Sequence, residues 1–330
     1  MLSKVKSLGR EKRMMKLMEE ETRCTTIGLL DDGDPIICDF NKDSKGQFLM
    51  DRVCNMLNIL ERDYFGLRFI DGEKQMHWLD PCKLISRQLK GGPPFNLVFR
   101  VKFYPADIGN LKEELTRYLL FLQLKRDLLH GRLLCSKEDM AMLGAYIVQA
   151  AIGNHDPLVH LHGYASEFYF GPGQSERVEN RVEQLHHTMT KGQSPSEAEE
   201  NFLRKARTLE TYGVDPHSVK DIYGSQLHLG FTHEGLSVFQ GSKRIQLFRW
   251  HDIGKFGYEG KTFFIHAMVN QRKLTHAYKS ATTSASKHIW KCGLEHQAFF
   301  KFRRSSEITM QTSGGMLFKT TKFKFRYKSR

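Results

Sequence analysis

Residues that could carry out catalysis are scattered along this 330-residue chain. The segment 254–262 looks at first like a phosphate-binding loop, because Gly254 precedes Gly260-Lys261-Thr262. Five residues separate the two glycines instead of four, however, and strand patterns flank both sides, so a hairpin turn explains it better. The chain has no GxSxG, HExxH or GxGxxG pattern, so no hydrolase, zinc protease or dinucleotide-binding enzyme is indicated. We expect a non-enzymatic protein with no catalytic residue, cofactor or small-molecule substrate.

The cysteines and histidines do not show the spacing of a metal site. The six cysteines are far apart and form no CxxC pair, so we expect reduced, mostly buried thiols. His155, His160 and His162 could approach one another on a loop, but they include neither a cysteine nor a helical i, i+4 pair. They are interpreted as surface residues, and no metal site is predicted.

The surplus positive charge lies in the last third of the chain. Residues 212–330 hold 20 Lys and Arg against 7 Asp and Glu, whereas residues 1–211 hold 30 of each class, so the net charge of +13 is local. Such a field orients a molecule toward an acidic partner: a membrane surface, an acidic protein tail or a nucleic acid.

Neither a membrane span nor a secretion signal is predicted. The longest apolar stretch, residues 119–122, is far shorter than the roughly 20 residues that a bilayer-crossing helix needs. The N-terminal residues 1–16 are basic but lack the apolar run of a signal peptide, so we expect a cytoplasmic location.

The sequence pattern predicts three structural zones, preceded by a flexible basic segment (1–22). In zone 23–104, two strands flank the turn 31–34, an apolar stripe at spacings of three and four marks a helix over 45–60, and strands follow at 64–70, 75–79 and 95–103. One helix on a small mixed sheet is a ubiquitin-like β-grasp.

The second zone, 105–211, is predicted to be a helical bundle and the third, 212–303, a β-sandwich. Helices are expected over 111–129, 136–152, 175–189 and 195–212, the last opened by the capping box Ser194-Pro195-Ser196-Glu197. A run of hairpins then ends in one amphipathic helix over 283–300, as in a pleckstrin-homology-like sandwich. The fold class is α+β, and residues 304–330 form a basic tail.

A resemblance to a known family is carried by six segments, residues 63–68, 78–80, 100–105, 114–118, 209–215 and 287–292. With these segments and in this order, the three zones resemble the FERM module of the band 4.1, ezrin, radixin and moesin superfamily. That module consists of ubiquitin-like, four-helix acyl-CoA-binding-protein-like and pleckstrin- or phosphotyrosine-binding-like lobes. The resemblance covers about residues 23–303, and the tail is similar to the FERM-adjacent region of band 4.1-like proteins. The chain differs from the sequence usual in this family at Gly153-Asn154-His155 and at Thr321-Lys322. Proteins of this kind usually continue further, so we expect a fragment or a short isoform.

The resemblance implies a peptide-binding groove between the strand 262–269 and the helix 283–300, where an edge strand could accept a receptor tail as an added strand. The inward positions of both elements, Phe263, Ile265, Ile289 and Cys292, are better explained as core. We expect peptide contact from backbone or exposed side chains at Phe264, His266, Lys287, His288 and Lys291.

The resemblance also places Lys83 and Lys287 where the ezrin-like branch binds an inositol phosphate head group. Other basic positions of that cleft are Glu73 and Asp80 here, so a diffuse attraction to anionic lipid competes with a specific site as the explanation. Ordinary solvated lysines remain a third interpretation.

Two features of the C-terminal end remain open at the level of sequence. Ser305 and Ser306 follow a pair of arginines and are candidate phosphorylation sites, although unmodified linker serines fit equally well. The aromatic and basic stretch 318–327 could bind nucleic acid by stacking and phosphate contacts, or could be a simple edge strand.

The expected function is that of a membrane–cytoskeleton adaptor. Its partners would be cytoplasmic tails of transmembrane receptors or adhesion proteins and anionic phospholipid of the inner plasma membrane, with cytoskeletal contacts indirect. The expected locations are the cytoplasm, the inner face of the plasma membrane, the cytoskeleton and cell junctions. Nucleic-acid binding is the alternative.

Overall fold

The computed structural model describes residues 22–31, 33–269 and 271–301, together with two short strands in the tail. The chain divides into two compact units, Met1–Arg100 and Val101–Arg330. The basic N-terminal segment and most of the tail lie outside the described residues, as do Ser305 and Ser306. None of the described helices is long and apolar enough to cross a membrane.

The first unit is a five-stranded mixed sheet with one main helix. The strand order is β2-β1-β5-β3-β4, in which β1 pairs antiparallel with β2 and parallel with β5. Alternate residues of β2 are buried, so Ile36, Cys38 and Phe40 face the core. The elements are β1 (Thr22–Gly28), β2 (Ile36–Asn41), α1 (Gly46–Met56), β3 (Phe65–Ile70), β4 (Met76–Trp78), α2 (Ile85–Gln88) and β5 (Phe95–Val101).

A helical bundle opens the second unit. Helix α4 packs against α5 and α6, and α3 packs against α6. Gly144 permits the close approach of α4 and α5, since a Cβ atom there would lie 2.8 Å from the side chain of Val182. The capping box at Ser194 is formed as predicted, with reciprocal hydrogen bonds to Glu197. The bundle helices are α3 (Glu114–Leu129), α4 (Lys137–Ile152), α5 (Glu176–Thr188) and α6 (Pro195–Ala206).

A seven-stranded antiparallel sheet and a long helix follow. The strand order is β10-β11-β12-β6-β7-β8-β9, and helix α7 packs against β7, β10 and β11. In the tail, β13 pairs with β14 and contacts β10. The elements are β6 (His217–Lys220), β7 (Gln226–Phe231), β8 (Gly235–Gln240), β9 (Lys243–Arg249), β10 (Ile253–Glu259), β11 (Thr262–Val269), β12 (Arg272–Lys279), α7 (Thr283–Lys301), β13 (Thr312–Ser313) and β14 (Thr321–Lys322).

Most predicted elements are present, with bounds that differ by a few residues. The helix predicted over 195–212 is an exception, because α6 ends at Ala206 and turns follow it. The strand β6 and the one-turn helix α2 were not predicted from the sequence. Both are short, and β6 (His-Ser-Val-Lys) carries no alternating apolar pattern.

Candidate functional site

Helix α7 lies along β10, and its side chains donate hydrogen bonds to the backbone of that strand. The indole of Trp290 donates to the carbonyl of Phe256 at 3.3 Å. Gln297 and Lys301 both donate to the carbonyl of Ile253, at 3.2 and 2.8 Å. Part of this strand's hydrogen-bonding capacity is therefore already used by the helix.

The predicted edge strand is not at the edge of the sheet. β11 is hydrogen-bonded to β10 on one side and to β12 on the other, so its backbone cannot accept a further strand. Phe264 is half-buried, and His266 is exposed, with its ring 2.9 Å from the Thr275 hydroxyl on β12. The expectation that Phe264 and His266 lie on an edge strand is therefore wrong, whereas contact of these two residues with a peptide stays a prediction. The strand at this end of the sheet is β10.

The prediction that His288 is an exposed groove residue is also wrong, since it is only 5% exposed. Residues four apart share one face of a helix. Lys287 and Lys291 thus lie together toward the outside, exposed and half-exposed, while His288 lies on the inner face with Cys292. The other inward residues, Ile289 among them, are buried as the core interpretation expected.

The two lysines of the expected lipid site belong to different units. Lys83 lies in the first unit, where its ammonium is 3.0 Å from the carboxylate of Asp80. Lys287 lies on α7 in the second unit and is exposed. Asp80 is one of the two acidic residues expected to weaken phosphate binding, and its ion pair with Lys83 gives that expectation a structural basis.

The histidines of the bundle loop separate into two environments. His162 is exposed and lies 3.0 Å from the carboxylate of Glu183. His155 and His160 are half-buried, and their rings group with Tyr164 and with His186 of α5. Only part of the predicted histidine group therefore behaves as ordinary surface.

Within the described residues, one group of side chains that could hold a metal ion converges. It consists of His217, His288 and Cys292, which offer two imidazoles and a thiol within 4.8 Å of one another. The sequence did not predict this group, although the i, i+4 spacing of His288 and Cys292 on one helix is a pattern that metal-binding side chains can have.

Comparison with known proteins decides the family. Three family models match in order along the chain: the FERM N-terminal domain over residues 27–91, the FERM central domain over 106–217 and the FERM C-terminal PH-like domain over 221–308. The chain belongs to the FERM-domain family. The predicted family and the α+β FERM fold class are confirmed.

Similar curated proteins are band 4.1-like. Mouse and human band 4.1-like protein 4A are each 39% identical over 295 residues, which is 88% of this chain and 42% of the relative. Human band 4.1-like protein 2 is 39% identical over 326 residues, which is 98% of this chain and 32% of the relative. The chain thus spans less than half the length of these relatives.

Solved structures show the same fold. The FERM and C-terminal domain complex of Drosophila Merlin matches with a TM-score of 0.75 at 22% identity, covering 86% of this chain and 98% of that one. The MyTH4-FERM MF2 domain of Dictyostelium discoideum myosin VII matches with a TM-score of 0.70 at 14% identity, covering 90% and 64%.

Proposed function

We propose that this FERM protein is a non-enzymatic adaptor that links cytoplasmic tails of transmembrane proteins and anionic lipid at the inner plasma membrane to the cytoskeleton. The observation that carries the proposal is the basic PH-like lobe, whose end strand β10 lies beside a helix that exposes lysines. Family membership and the band 4.1-like relatives support the same function. Cytoskeletal contact would be indirect, through other segments or proteins.

The peptide site is proposed between β10 and α7. The backbone of β10 is at the end of the sheet, and Lys287 and Lys291 add positive charge on the neighbouring helix. An extended acidic tail could add, through its backbone, to the part of β10 whose carbonyls do not already accept hydrogen bonds from α7, while the tail's carboxylates contact the two lysines. Lys287 and Lys291 thus belong to the proposed site, as the sequence predicted, and its strand is β10 instead of β11.

Fluorescence anisotropy with a panel of acidic receptor-tail peptides tests the groove. We expect the double change Lys287→Glu/Lys291→Glu to weaken binding by about tenfold or more, since like charges across an interface are repulsive. Lys243→Glu/Arg249→Glu is the matched control, because it makes the same charge change on β9 at the opposite end of the sheet. Equal losses in both variants would show attraction to overall charge only and would refute the groove.

The same titration is made on a chain that ends at Lys301, because β13 contacts β10. Tighter peptide binding by the shortened chain would agree with a site along β10. If neither form binds any acidic peptide, the tail-binding part of the proposal is refuted.

The lipid part rests on the charge of the last third of the chain and on Lys83 and Lys287. Each basic residue near an anionic leaflet contributes about 1 kcal/mol of binding. We expect co-sedimentation with phosphatidylcholine vesicles only when they also contain phosphatidylserine or a phosphoinositide. Lys83→Glu/Lys287→Glu should weaken this binding by about 30-fold or more, because two contributions of about 1 kcal/mol are lost. An equal loss in the control Lys243→Glu/Arg249→Glu would show diffuse attraction only and would refute a specific site at Lys83 and Lys287.

The names of the relatives and structures given above mention no nucleic acid, and the stretch considered for nucleic-acid binding lies almost wholly outside the described residues. Oligonucleotide binding with a log–log salt slope near −5 or steeper would revive that alternative. Absence of binding to both vesicles and peptides would refute the adaptor.

A further inference from the structure

The inner face of α7 holds a thiol and two imidazoles close together. The Sγ atom of Cys292 lies 3.5 Å from Nε2 of His288. The ring of His217 crosses that of His288 nearly edge to face, with centroids 5.2 Å apart. One ligand atom from each of the three residues lies within 4.8 Å of the others.

The fold fixes this arrangement from two directions. His288 and Cys292 are one helical turn apart on α7, so their side chains project from the same face. His217 is the first residue of β6, where its backbone pairs with Leu229 of β7. Two ligands therefore come from one rigid helix, and the third comes from a strand held in the sheet.

The distances are close to those of a zinc site. With Zn–N bonds of about 2.0–2.1 Å and Zn–S bonds of about 2.3 Å, tetrahedral ligand atoms lie roughly 3.4–3.6 Å apart. The pair His288 and Cys292 already has that separation. The three ligand atoms lie within 4.8 Å of one another, so the longest separation has to shorten by about 1 Å to reach the tetrahedral value. Small rotations of the His217 ring can supply this movement.

We propose that His217, His288 and Cys292 form a binding site for a zinc-like divalent cation, with three protein ligands and a fourth position for water or a partner's side chain. A thiolate with two neutral imidazoles is a soft-to-borderline donor set, which suits Zn²⁺ or Co²⁺ and not the oxygen-seeking Mg²⁺ or Ca²⁺. An ion enters the site past His217, which is half-buried, since His288 and Cys292 are both buried.

The surroundings make the thiol unreactive without an ion. Burial raises the pKa of Cys292 far above its ordinary value, and the negative charges of Glu295 and Asp215 add to the effect. The Glu295 carboxylate is itself paired with Lys102 at 2.9 Å. Cys292 is therefore not placed as a nucleophile, and a bound cation would displace its proton.

A cation held here would join α7 to β6. The groove proposed for peptides lies elsewhere, because it is formed by β10 and by the outer face of α7. The metal site is thus a separate feature from the adaptor function, and each can fail without the other.

Titration of the full chain with Co²⁺ tests the site. We expect a thiolate-to-cobalt charge-transfer band in the near ultraviolet and intense visible d–d bands typical of tetrahedral coordination. Zn²⁺ should abolish both by displacement and should raise the thermal unfolding midpoint. Absence of the charge-transfer band, or its persistence in Cys292→Ala, would overturn the proposal.

His217→Ala provides the second variant, because this half-buried strand residue can be removed with less risk to the fold than a core cysteine. It should keep the near-ultraviolet circular dichroism of the protein but weaken Co²⁺ binding at least tenfold. Cys135→Ala, which removes a half-exposed thiol of the bundle, and His155→Ala/His160→Ala should leave the charge-transfer band unchanged. Loss of the band in either control, with full retention in His217→Ala, would place the cation elsewhere.

Discussion

The ammonium of Lys102 lies 2.9 Å from the carboxylate of Glu295, and the two side chains are only 5% and 3% exposed. Lys102 follows β5, and Glu295 is in the middle of α7. The next residue, Phe103, stacks on Phe299 of the same helix with ring centroids 4.3 Å apart. A buried ion pair and an aromatic stack together hold the segment after β5 against α7.

The first prediction concerns this ion pair. Changing Lys102→Met alone should destabilise the PH-like lobe by about 3–5 kcal/mol, because the carboxylate of Glu295 would remain buried without its cation. Glu295→Gln should also destabilise the lobe, because the buried ammonium of Lys102 would lose the charge of Glu295, but it should cost less, since the amide oxygen can still accept a hydrogen bond from that ammonium. Urea unfolding followed by tryptophan fluorescence measures the change, as Trp250 and Trp290 are both buried in this lobe.

The double change Lys102→Met/Glu295→Leu is the control for this prediction. Removing both charges should recover most of the lost stability, because well-packed apolar residues replace a buried ion pair at little cost. If the losses of the two single variants simply added in the double variant, the two charges would not be coupled.

The second prediction concerns Gly213, which joins the bundle to the sheet. Its φ is +70°, and a Cβ atom there would lie 2.7 Å from Cγ of Tyr104. Gly213→Ala should therefore destabilise the second unit by about 2–3 kcal/mol, through both the left-handed backbone and the steric conflict. The thermal unfolding midpoint measures the loss.

Gly241→Ala is the matched control for Gly213. Gly241 has a φ of +60°, and a Cβ atom there would meet nothing within 4 Å. This variant should lose only about 1 kcal/mol, from the backbone term. Equal losses of stability in the two variants would show that the steric conflict with Tyr104 does not contribute to the destabilisation.

Local signals allowed much of the fold to be predicted. The capping box at Ser194 gave the start of α6, and the apolar stripe with Ile289 and Cys292 gave the buried face of α7. These features depend on residues within a few positions of one another. The same stripe places His288 four residues before Cys292, so its burial was also readable from the sequence.

Relationships between distant segments could not be predicted in this way. Strand order decides that β10 and not β11 is at the end of the sheet, and hairpin patterns do not specify that order. Lys102 and Glu295 are far apart in the sequence, and each looks like an ordinary surface charge by type. The convergence of His217 on α7 depends on β6, which has no clear strand pattern.

The third prediction concerns the start of α6. Ser194 accepts a hydrogen bond from the backbone N–H of Glu197, and the Glu197 carboxylate accepts one from the N–H of Ser194. Ser194→Ala should destabilise the bundle by about 1 kcal/mol, since it leaves helix-terminal N–H groups without a partner. Ser194→Asp should restore most of the loss in a urea titration, whereas an equally unstable Asp variant would contradict a capping role.

The fourth prediction concerns the pH dependence of the bundle. His186 lies with Nδ1 2.7 Å from the Tyr164 hydroxyl, and its Nε2–H donates to the carbonyl of Gly153 at 2.7 Å. Burial lowers the pKa of His186, and the neighbouring rings of His155, His160 and His187 lower it further against the opposing effect of the Gly153 hydrogen bond. The neutral ring is therefore the form that fits the folded bundle.

Because the unfolded histidine has a pKa of about 6.5 and the folded one is lower, the unfolded chain binds more protons as the solution becomes acidic. The free energy of unfolding should hence fall as the pH drops below about 6.5. His186→Gln should be less stable at pH 8, because it loses a fitted ring, but should lose less stability on acidification. Urea titrations at several pH values, followed by the far-ultraviolet circular dichroism of the helices, measure both effects.

His251→Gln is the control, because it changes a ring that is 74% exposed, and it should retain the pH slope of the unmodified protein. A His186→Gln variant with that same slope would show that protonation of His186 does not drive the acid sensitivity of the bundle.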